Sequence, residues 1–295
     1  MSNTLAIHIS NTCQNKCVFC MERDKFGNRI EHSILEPEQY ADLVIKGRNQ
    51  IPDLKRVFIA GGEPTLNREF LEIVKKITPE IAFVDVVTNG GRFFEKKFAY
   101  SFAAAGGHGV HLSIHSHLPQ VYDDLTGKEN SHSRSVVAGQ NILEAGLKLY
   151  TNTVLNAQNY EMLPETVDWL LNTFSNLHMI VFYLVRPVGA ADGNRKILAP
   201  MSYIAESVLK VIKKMQSSEI KTGLSIRDIP PCMLGGAGDL VKFQDFFVHE
   251  NGEYRQLSTD RYKKKFKCIF CGMKKTCRGF LASYPKDKVL TPPIA

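Results

Sequence analysis

Three cysteines near the start of the chain have a spacing that suits a metal centre. Cys13, Cys17 and Cys20 form a C-x3-C-x2-C sequence directly after the first predicted strand. Three thiolates on one short loop can bind three irons of a [4Fe–4S] cluster and leave the fourth iron open to a substrate amine and carboxylate. The alternative is a zinc site, for which His8 or His32 would be the fourth ligand. The spacing alone favours the iron–sulfur site.

The other four cysteines lie near the end of the chain. Cys268, Cys271 and Cys277 form C-x2-C-x5-C, and Cys232 follows two prolines further upstream. Four cysteines can close a zinc tetrahedron or bind all four irons of a cluster. In a reducing compartment, metal ligation is favoured over disulfides.

The composition is that of a globular protein with a cytoplasmic location. Of 295 residues, 44% are hydrophobic and 23% are charged. No basic segment followed by a long apolar run opens the chain, and the longest apolar run, 179–185, is far shorter than the roughly 20 residues that span a bilayer. The net charge of +7 permits an acidic partner without requiring one. Much of the excess is in one segment, which we expect to be a solvated face: Lys263, Lys264, Lys265, Lys267, Lys274, Lys275 and Arg278.

Short β-rich runs alternate with amphipathic helical patterns over the first two-thirds of the chain. The predicted strands are Leu5–Ile9, Arg56–Ala60, Ala82–Thr88, Val110–Ile114, Lys148–Leu155 and Met179–Val185. The predicted helices lie near 38–49, 68–77, 94–105, 133–145, 161–175 and 202–216. Six strand–helix units predict an α/β fold with a parallel sheet, a partial (β/α)6 TIM-like barrel.

The pattern changes near residue 217, which predicts two domains, 1–217 and 218–295. Residues 240–258 indicate a β-hairpin with Asn251-Gly252 as its turn. The cysteine-rich segment follows it. The second domain is therefore expected to be small, with a hairpin and a metal site.

The first cysteine set is similar to the signature of the radical S-adenosylmethionine (radical SAM) superfamily. That signature has an aromatic residue before the third cysteine, which here is Phe19. The next predicted strand ends in Gly61-Gly62-Glu63-Pro64, which matches the family's GGEP motif at the expected place. The resemblance implies that Cys13, Cys17 and Cys20 hold a [4Fe–4S] cluster and that Phe19 and the Gly61–Pro64 turn lie beside S-adenosylmethionine (SAM).

Further polar residues follow the predicted strands at the edge where barrel enzymes place their sites. By resemblance, those near the cofactor or substrate are Thr88, Asn89, Ser113 and Asn156. The candidates for an acid, a base or another catalytic group are His115, His117, Tyr122, Arg186 and Asp192. Each also has a purely structural interpretation, such as a turn or a surface position. The Asp124–Gly127 stretch resembles a region common in the peptide-modifying branch.

The second cysteine set resembles part of the SPASM extension, which holds auxiliary [4Fe–4S] clusters in peptide-modifying members. Leu281 occupies the position where that pattern has a further cysteine, so we expect one cluster, as in the shorter twitch variant. Cys232 is the candidate fourth ligand beside Cys268, Cys271 and Cys277. Without Cys232, one iron would be open to substrate. A structural zinc ribbon is the alternative for these cysteines.

The resemblance implies an enzyme that cleaves SAM reductively to a 5′-deoxyadenosyl radical for hydrogen abstraction. The auxiliary cluster favours oxidative modification of a peptide or protein side chain, by dehydrogenation or cross-linking. The alternatives are radical oxidation or rearrangement of a small metabolite such as an amino sugar and, least supported, a non-catalytic zinc protein that binds nucleic acid. The expected partners are an electron donor such as flavodoxin or ferredoxin, and a precursor peptide. A separate leader-binding protein is expected because the first strand begins at residue 5. Neither a membrane nor a nucleic acid is expected.

Overall fold

A sheet of parallel strands forms the centre of the molecule. The computed structural model describes residues 3–217, 220–235, 237–241, 246–250, 253–256, 262–275 and 277–289. The first seven strands are β1 (Thr4–His8), β2 (Arg56–Ala60), β3 (Phe83–Thr88), β4 (Gly109–Ser113), β5 (Lys148–Leu155), β6 (Met179–Leu184) and β7 (Gly223–Arg227). They pair in parallel and in chain order. The six predicted strands are confirmed, and β7 adds a seventh that the short, polar run Gly-Leu-Ser-Ile-Arg did not indicate.

Helices connect these strands, as the alternation predicted. They are α1 (Pro37–Gln50), α2 (Phe70–Ile77), α3 (Lys96–Ala104), α4 (Pro119–Thr126), α5 (Ser131–Glu144), α6 (Leu163–Thr173) and α7 (Met201–Gln216). Helix α4 was not predicted, because its two turns are too short for a clear apolar period. It ends at Gly127, whose φ of 60° is left-handed, a conformation that favours glycine. None of the helices in the described part of the chain is long and apolar enough to cross a bilayer.

The C-terminal segment extends the same sheet. Its order is β7-β6-β5-β4-β3-β2-β1-β8-β9, where β8 (Phe246–Glu250) pairs in parallel with β1 and β9 (Glu253–Gln256) pairs antiparallel with β8. The predicted hairpin is thus confirmed, while its Asn251-Gly252 turn lies outside the described residues. Residues after 217 contribute three strands to the main sheet. The division into two domains at that point stays a prediction.

A second, two-stranded sheet follows the nine-stranded one. In it, β10 (Tyr262–Lys263) pairs antiparallel with β11 (Phe280–Leu281). The segment between these two strands contains Cys268, Cys271 and Cys277. The pairing therefore closes the cysteine-rich segment into one loop.

The two faces of the main sheet differ in polarity. Helices that are neighbours along the chain contact one another, as α1 with α2 and α6 with α7, and so they cover one face. Side chains alternate along each strand. Leu5 packs near Gly47 of α1, and Ile7 is also in the apolar core, so His8 points to the opposite, inner face. Other side chains of the inner face are Phe58, Asp85, His111, Ser113, Tyr150 and Asn152.

Candidate functional site

The end of helix α4 bonds to the backbone of the first cysteine loop. The Lys16 amide donates to the Thr126 carbonyl over 2.8 Å, and the Val18 amide donates to the Leu125 carbonyl over 3.0 Å. A Cβ atom on Gly127 would lie 2.8 Å from the Lys16 carbonyl oxygen, so the loop also needs glycine at this point. The Asp124–Gly127 stretch thus fixes the backbone between Cys13 and Cys20.

Hydrogen-bond donors surround the sulfur atoms of this loop. Cys13 Sγ lies 3.4 Å from the Asn15 amide nitrogen and 3.6 Å from Asn89 Nδ2, and Cys20 Sγ lies 3.8 Å from Arg29 Nη1. Burial raises the pKa of Cys17 to about 12, and the neighbouring Cys20 and Cys13 thiols add to that rise. At neutral pH, the Cys17 thiolate that a metal needs is therefore favoured by a cation that compensates its charge.

The sulfurs of the described cysteines are not grouped around one point, as the ligands of a single zinc ion are. A zinc tetrahedron with Zn–S bonds near 2.3 Å places its sulfurs about 3.8 Å apart. All seven cysteines are among the described residues, and no three of their Sγ atoms lie within 4.8 Å of one another. His8 and His32, the candidate zinc ligands, are instead paired with Glu22. Both observations favour an iron–sulfur cluster on the first loop.

The two glycines of the Gly61–Pro64 turn let β2 pack directly under this loop. The Gly62 amide donates to the Ser10 carbonyl over 2.7 Å, and the Glu63 amide donates to the Thr12 carbonyl over 2.6 Å. A Cβ atom on Gly61 would lie 2.5 Å from the Ser10 carbonyl oxygen, and one on Gly62 would lie 2.3 Å from that of Thr12. The two glycines therefore allow the end of β2 to approach the cysteine loop closely, at Ser10 and Thr12.

Glu63 links the ends of β2 and β3. Its carboxylate accepts hydrogen bonds from Thr65, from the Thr88 hydroxyl at 2.7 Å and from the Asn89 amide at 2.8 Å. Burial raises the pKa of Glu63, and these donors oppose the rise. Pro64 begins a short 3-10 turn after it. The structure therefore places Glu63 and Thr88 as supports for Asn89, whose side chain reaches Cys13.

Three of the candidate catalytic residues are engaged inside the fold. His115 is buried, accepts a hydrogen bond at Nδ1 from the Val154 amide and packs edge-on against Phe19, with ring centroids 4.9 Å apart. Burial lowers its pKa to about 3, so its imidazole is neutral. The buried Tyr122 hydroxyl donates to the Ser113 carbonyl, and His117 bonds to Thr166.

The remaining candidates also have defined places. Arg186 forms a bidentate ion pair with Asp228 over 2.9 and 3.1 Å, and Tyr262 of β10 bonds to the same carboxylate. Asp192 is exposed in a turn. Asn156 is buried, and its amide group bonds to the Val154 carbonyl and the Gln158 amide within the loop after β5. The predicted site residues thus lie at the C-terminal ends of the strands, but several of them are buried and hold neighbouring parts of the site in place.

One row of residues on the inner face contains polar side chains that the sequence analysis did not identify. Ser113, Asn152, Val181 and Ser225 lie opposite one another on the adjacent strands β4 to β7. Asn152 Oδ1 and Ser225 Oγ are buried and have no hydrogen-bond partner. An unpaired buried polar atom is costly, which makes these two atoms candidates for binding a ligand. No local signal identifies these two atoms, because Thr151 and Thr153 on the other face of β5 are polar and buried as well.

The four C-terminal cysteines lie together. Cys232, Cys268, Cys271 and Cys277 line one cavity. Burial raises the pKa of Cys232 to about 11, and the charges of the other three add to the rise. Tyr262 bonds to Asp228, which pairs with Arg186, so the start of the cysteine-rich segment is fixed to the strand ends of β6 and β7.

Comparisons with known proteins agree with this architecture. Proteins named probable GTP 3′,8-cyclase from Thermococcus kodakarensis and Thermoplasma volcanium are 30% and 26% identical over 70% and 74% of this chain. The matches span 66% and 65% of those relatives, just under two thirds of their length. Streptococcus suis SuiB bound to S-adenosylmethionine has a TM-score of 0.69 at 16% identity, covering 99% of this chain and 77% of that chain.

A second structure, anSMEcpe with bound AdoMet, has a TM-score of 0.61 at 14% identity and covers 76% of this chain and 64% of that chain. At these identities, the likeness shows the fold. A family model described as the radical SAM superfamily matches residues 7–170, more than half of the chain. That stretch includes both the three-cysteine loop and the Gly61–Pro64 turn. The chain therefore belongs to the radical SAM superfamily and is an enzyme that uses SAM and a cysteine-bound [4Fe–4S] cluster.

Proposed function

We propose that Cys13, Cys17 and Cys20 are the ligands of the SAM-cleaving cluster. When bound and reduced, that cluster supplies one electron to the sulfonium of SAM, which yields methionine and a 5′-deoxyadenosyl radical. Asn89 and Arg29 contribute donors to the sulfur atoms, and such hydrogen bonds tune cluster potentials. A one-electron donor such as flavodoxin or ferredoxin is required.

The inner face positions the cofactor and substrate. The unpaired atoms of Asn152 and Ser225 offer hydrogen bonds to a polar ligand in the barrel, beside Ser113. Hydrogen bonds from Thr88 and Asn89 to the Glu63 carboxylate hold the end of β3, from which the Asn89 side chain reaches Cys13. These residues orient the ligand, whereas the buried His115 is neutral at physiological pH and does not act as an imidazolium acid.

The reaction we infer is a net oxidation, and the single observation that supports it is the shared cavity of Cys232, Cys268, Cys271 and Cys277. These four cysteines would hold all four irons of an auxiliary cluster, and such a cluster would supply an acceptor for one electron. The substrate would lose one hydrogen atom from an unactivated C–H bond to the radical that SAM supplies, one proton to solvent and one electron to that cluster, which makes a two-electron oxidation in total.

A peptide or protein side chain is the substrate that we favour. SuiB has also been solved bound to the precursor peptide SuiA, and its fold covers 99% of this chain, including the C-terminal segment. A precursor peptide, delivered by a separate leader-binding protein, would be dehydrogenated or cross-linked. The second candidate is radical chemistry on a small metabolite, a nucleotide or an amino sugar. It is favoured by the names of the sequence relatives, the GTP 3′,8-cyclases.

Iron content tests the ligand assignment. The anaerobically purified and reconstituted chain should contain about eight irons, because each cluster holds four. Replacement of Cys13, Cys17 and Cys20 by alanine should leave about four irons and abolish formation of 5′-deoxyadenosine with dithionite. Replacement of Cys232, Cys268, Cys271 and Cys277 should also leave about four, but uncoupled SAM cleavage should persist. An unchanged iron content in either variant would refute the assignment.

Isotope transfer tests the substrate. Peptides encoded beside the gene, GTP and amino sugars, each deuterated at carbon, should be incubated with the reduced enzyme and SAM. Deuterium in 5′-deoxyadenosine, together with a product two mass units lighter than the peptide in a parallel reaction of unlabelled peptide, identifies an oxidised peptide. Deuterium transfer from GTP or a sugar alone would contradict the peptide proposal and support the second candidate.

A further inference from the structure

Two histidines and a glutamate meet beside the first cysteine loop. His8 is the last residue of β1 and points to the inner face, Glu22 follows Cys20 by two residues, and His32 lies in the segment that leads to α1. From the sequence, His8 and His32 were expected only as possible fourth ligands of a zinc site at the cysteines. Their partner in the structure is the Glu22 carboxylate.

The three ligand atoms are close enough to share one ion. Glu22 Oε2 lies 2.7 Å from His32 Nε2 and 3.9 Å from His8 Nδ1, and all three atoms are within 4.8 Å of one another. A tetrahedral ion with bonds of 2.0–2.2 Å separates its ligands by about 3.3–3.6 Å. Both distances from Glu22 to the histidines are within about 1 Å of that separation.

The backbone of each ligand is held in place by other residues. Asn11 binds His32 twice, accepting from its amide over 3.0 Å and donating to its carbonyl over 2.9 Å. The Tyr40 hydroxyl donates to the His8 carbonyl over 2.8 Å, and the Glu22 carbonyl accepts from the Ile30 amide. Such fixed surroundings are what a metal site requires of its support.

We propose that His8, Glu22 and His32 form a mononuclear site for a divalent transition metal, with zinc as its natural test ion. Two imidazoles and one carboxylate are a ligand set that such ions prefer. The side chains are 24–30% exposed, so a fourth position is accessible to water or to a polar substrate group. The ion ties the segment around Glu22 and His32 to β1 and compensates the Glu22 charge beside the cluster loop. The proposal does not depend on the proposed reaction.

The experiment is a zinc titration of the holoenzyme with both sets of cysteines occupied by iron. One zinc per chain should bind, in competition with a chromophoric chelator, without loss of iron or of absorbance near 400 nm. Glu22→Gln, which keeps the shape of the side chain, and His32→Ala should each weaken zinc binding at least about tenfold, because even supporting residues of metal sites are worth that much. His178→Ala, at an exposed histidine, is the control and should bind zinc as the parent does.

X-ray absorption at the zinc edge distinguishes this site from the cysteines. Nitrogen and oxygen scatterers near 2.0–2.1 Å, with no sulfur near 2.3 Å, are expected. Sulfur in the first shell, or zinc binding that Glu22→Gln leaves unchanged, would overturn the proposal. Neither readout involves SAM cleavage, so failure here and failure of the proposed reaction can be told apart.

Discussion

Asp85 is a buried carboxylate on the inner face of the sheet, below the residues of the site. It bonds to His108 at 2.8 Å and to His111 at 3.3 Å, and Arg56 pairs with it. Burial by itself would raise the pKa of Asp85, but these hydrogen bonds and the Arg56 charge hold it well below its usual range. The charge of Asp85 serves stability, because the group lies near the beginning of β3, away from the cysteine loop.

Asp85→Asn should therefore destabilise the protein at neutral pH. Removal of one partner from a buried ion pair costs about 3–5 kcal/mol. Because the folded-state pKa lies below the unfolded value near 3.9, the carboxylate stabilises the fold above that value and this stabilisation is lost as the pH falls below about 4. Thermal unfolding of both proteins, followed by circular dichroism from about pH 7 downwards, should show a gap that narrows in acid.

The matched control for Asp85 is on the surface. Asp168→Asn removes the partner of Lys214, and both side chains are more than two-fifths exposed. Its effect on the free energy of unfolding should be about 1 kcal/mol or less. If Asp85→Asn and Asp168→Asn lowered the free energy of unfolding equally, the buried Asp85 carboxylate would not have the stabilising role assigned to it.

At the scale of elements, contacts between loops assemble the site. The end of β2 bonds to the residues that lead into the cysteine loop, Glu63 holds Asn89 at the end of β3, and the end of α4 bonds to the loop at Lys16 and Val18. Each of these contacts joins residues far apart in the chain. The position of the cysteines relative to the inner face therefore depends on backbone contacts that leave no room for a side chain.

Gly62→Ala tests this dependence. Its added Cβ would lie 2.3 Å from the Thr12 carbonyl oxygen, which must move together with the loop. We expect iron bound at the first site to fall by at least half, while the four C-terminal cysteines keep theirs. Iron analysis and the yield of 5′-deoxyadenosine measure the effect.

Gly146→Ala is the control for general destabilisation. Gly146 has a φ of 75° and nothing within 4 Å of an added Cβ, so the substitution causes strain of about 1 kcal/mol without moving the cysteine loop. It should lower thermal stability and leave iron content unchanged. Equal iron loss in both variants would show that Gly62 has no special role.

At the scale of the whole molecule, the sequence alone predicted the order of parallel strands and helices and the motifs that resemble those of the family. The cysteine motifs and the Gly61–Pro64 turn are local in sequence, and local patterns can be recognised without coordinates. The ion pair of Arg186 with Asp228, the inner row of Asn152 and Ser225, and the place of β8 beside β1 join distant segments. Such pairings depend on tertiary packing, which no local pattern encodes.

A fragment of residues 1–217 should not behave as an independent domain. It would lack β7 and β8 and so expose the hydrogen-bonding edges of β6 and β1. Unprotected edges promote aggregation. Size-exclusion chromatography of the fragment should show aggregates, whereas the full chain with the same tag should elute as a defined species. A monodisperse fragment that binds about four irons would contradict this expectation and support the predicted boundary at 217.

The pairing of β1 with β8 also determines when this protein can mature. Thr4, at the start of β1, is paired with Arg56 of β2 on one side and with Phe246 of β8 on the other. The second edge of the strand that leads into the first cysteines therefore stays open until residue 246 has been synthesised. Contacts so distant in sequence slow folding. We therefore expect the first cysteines to retain iron better when it is delivered after residue 246 has been translated than when it is delivered before.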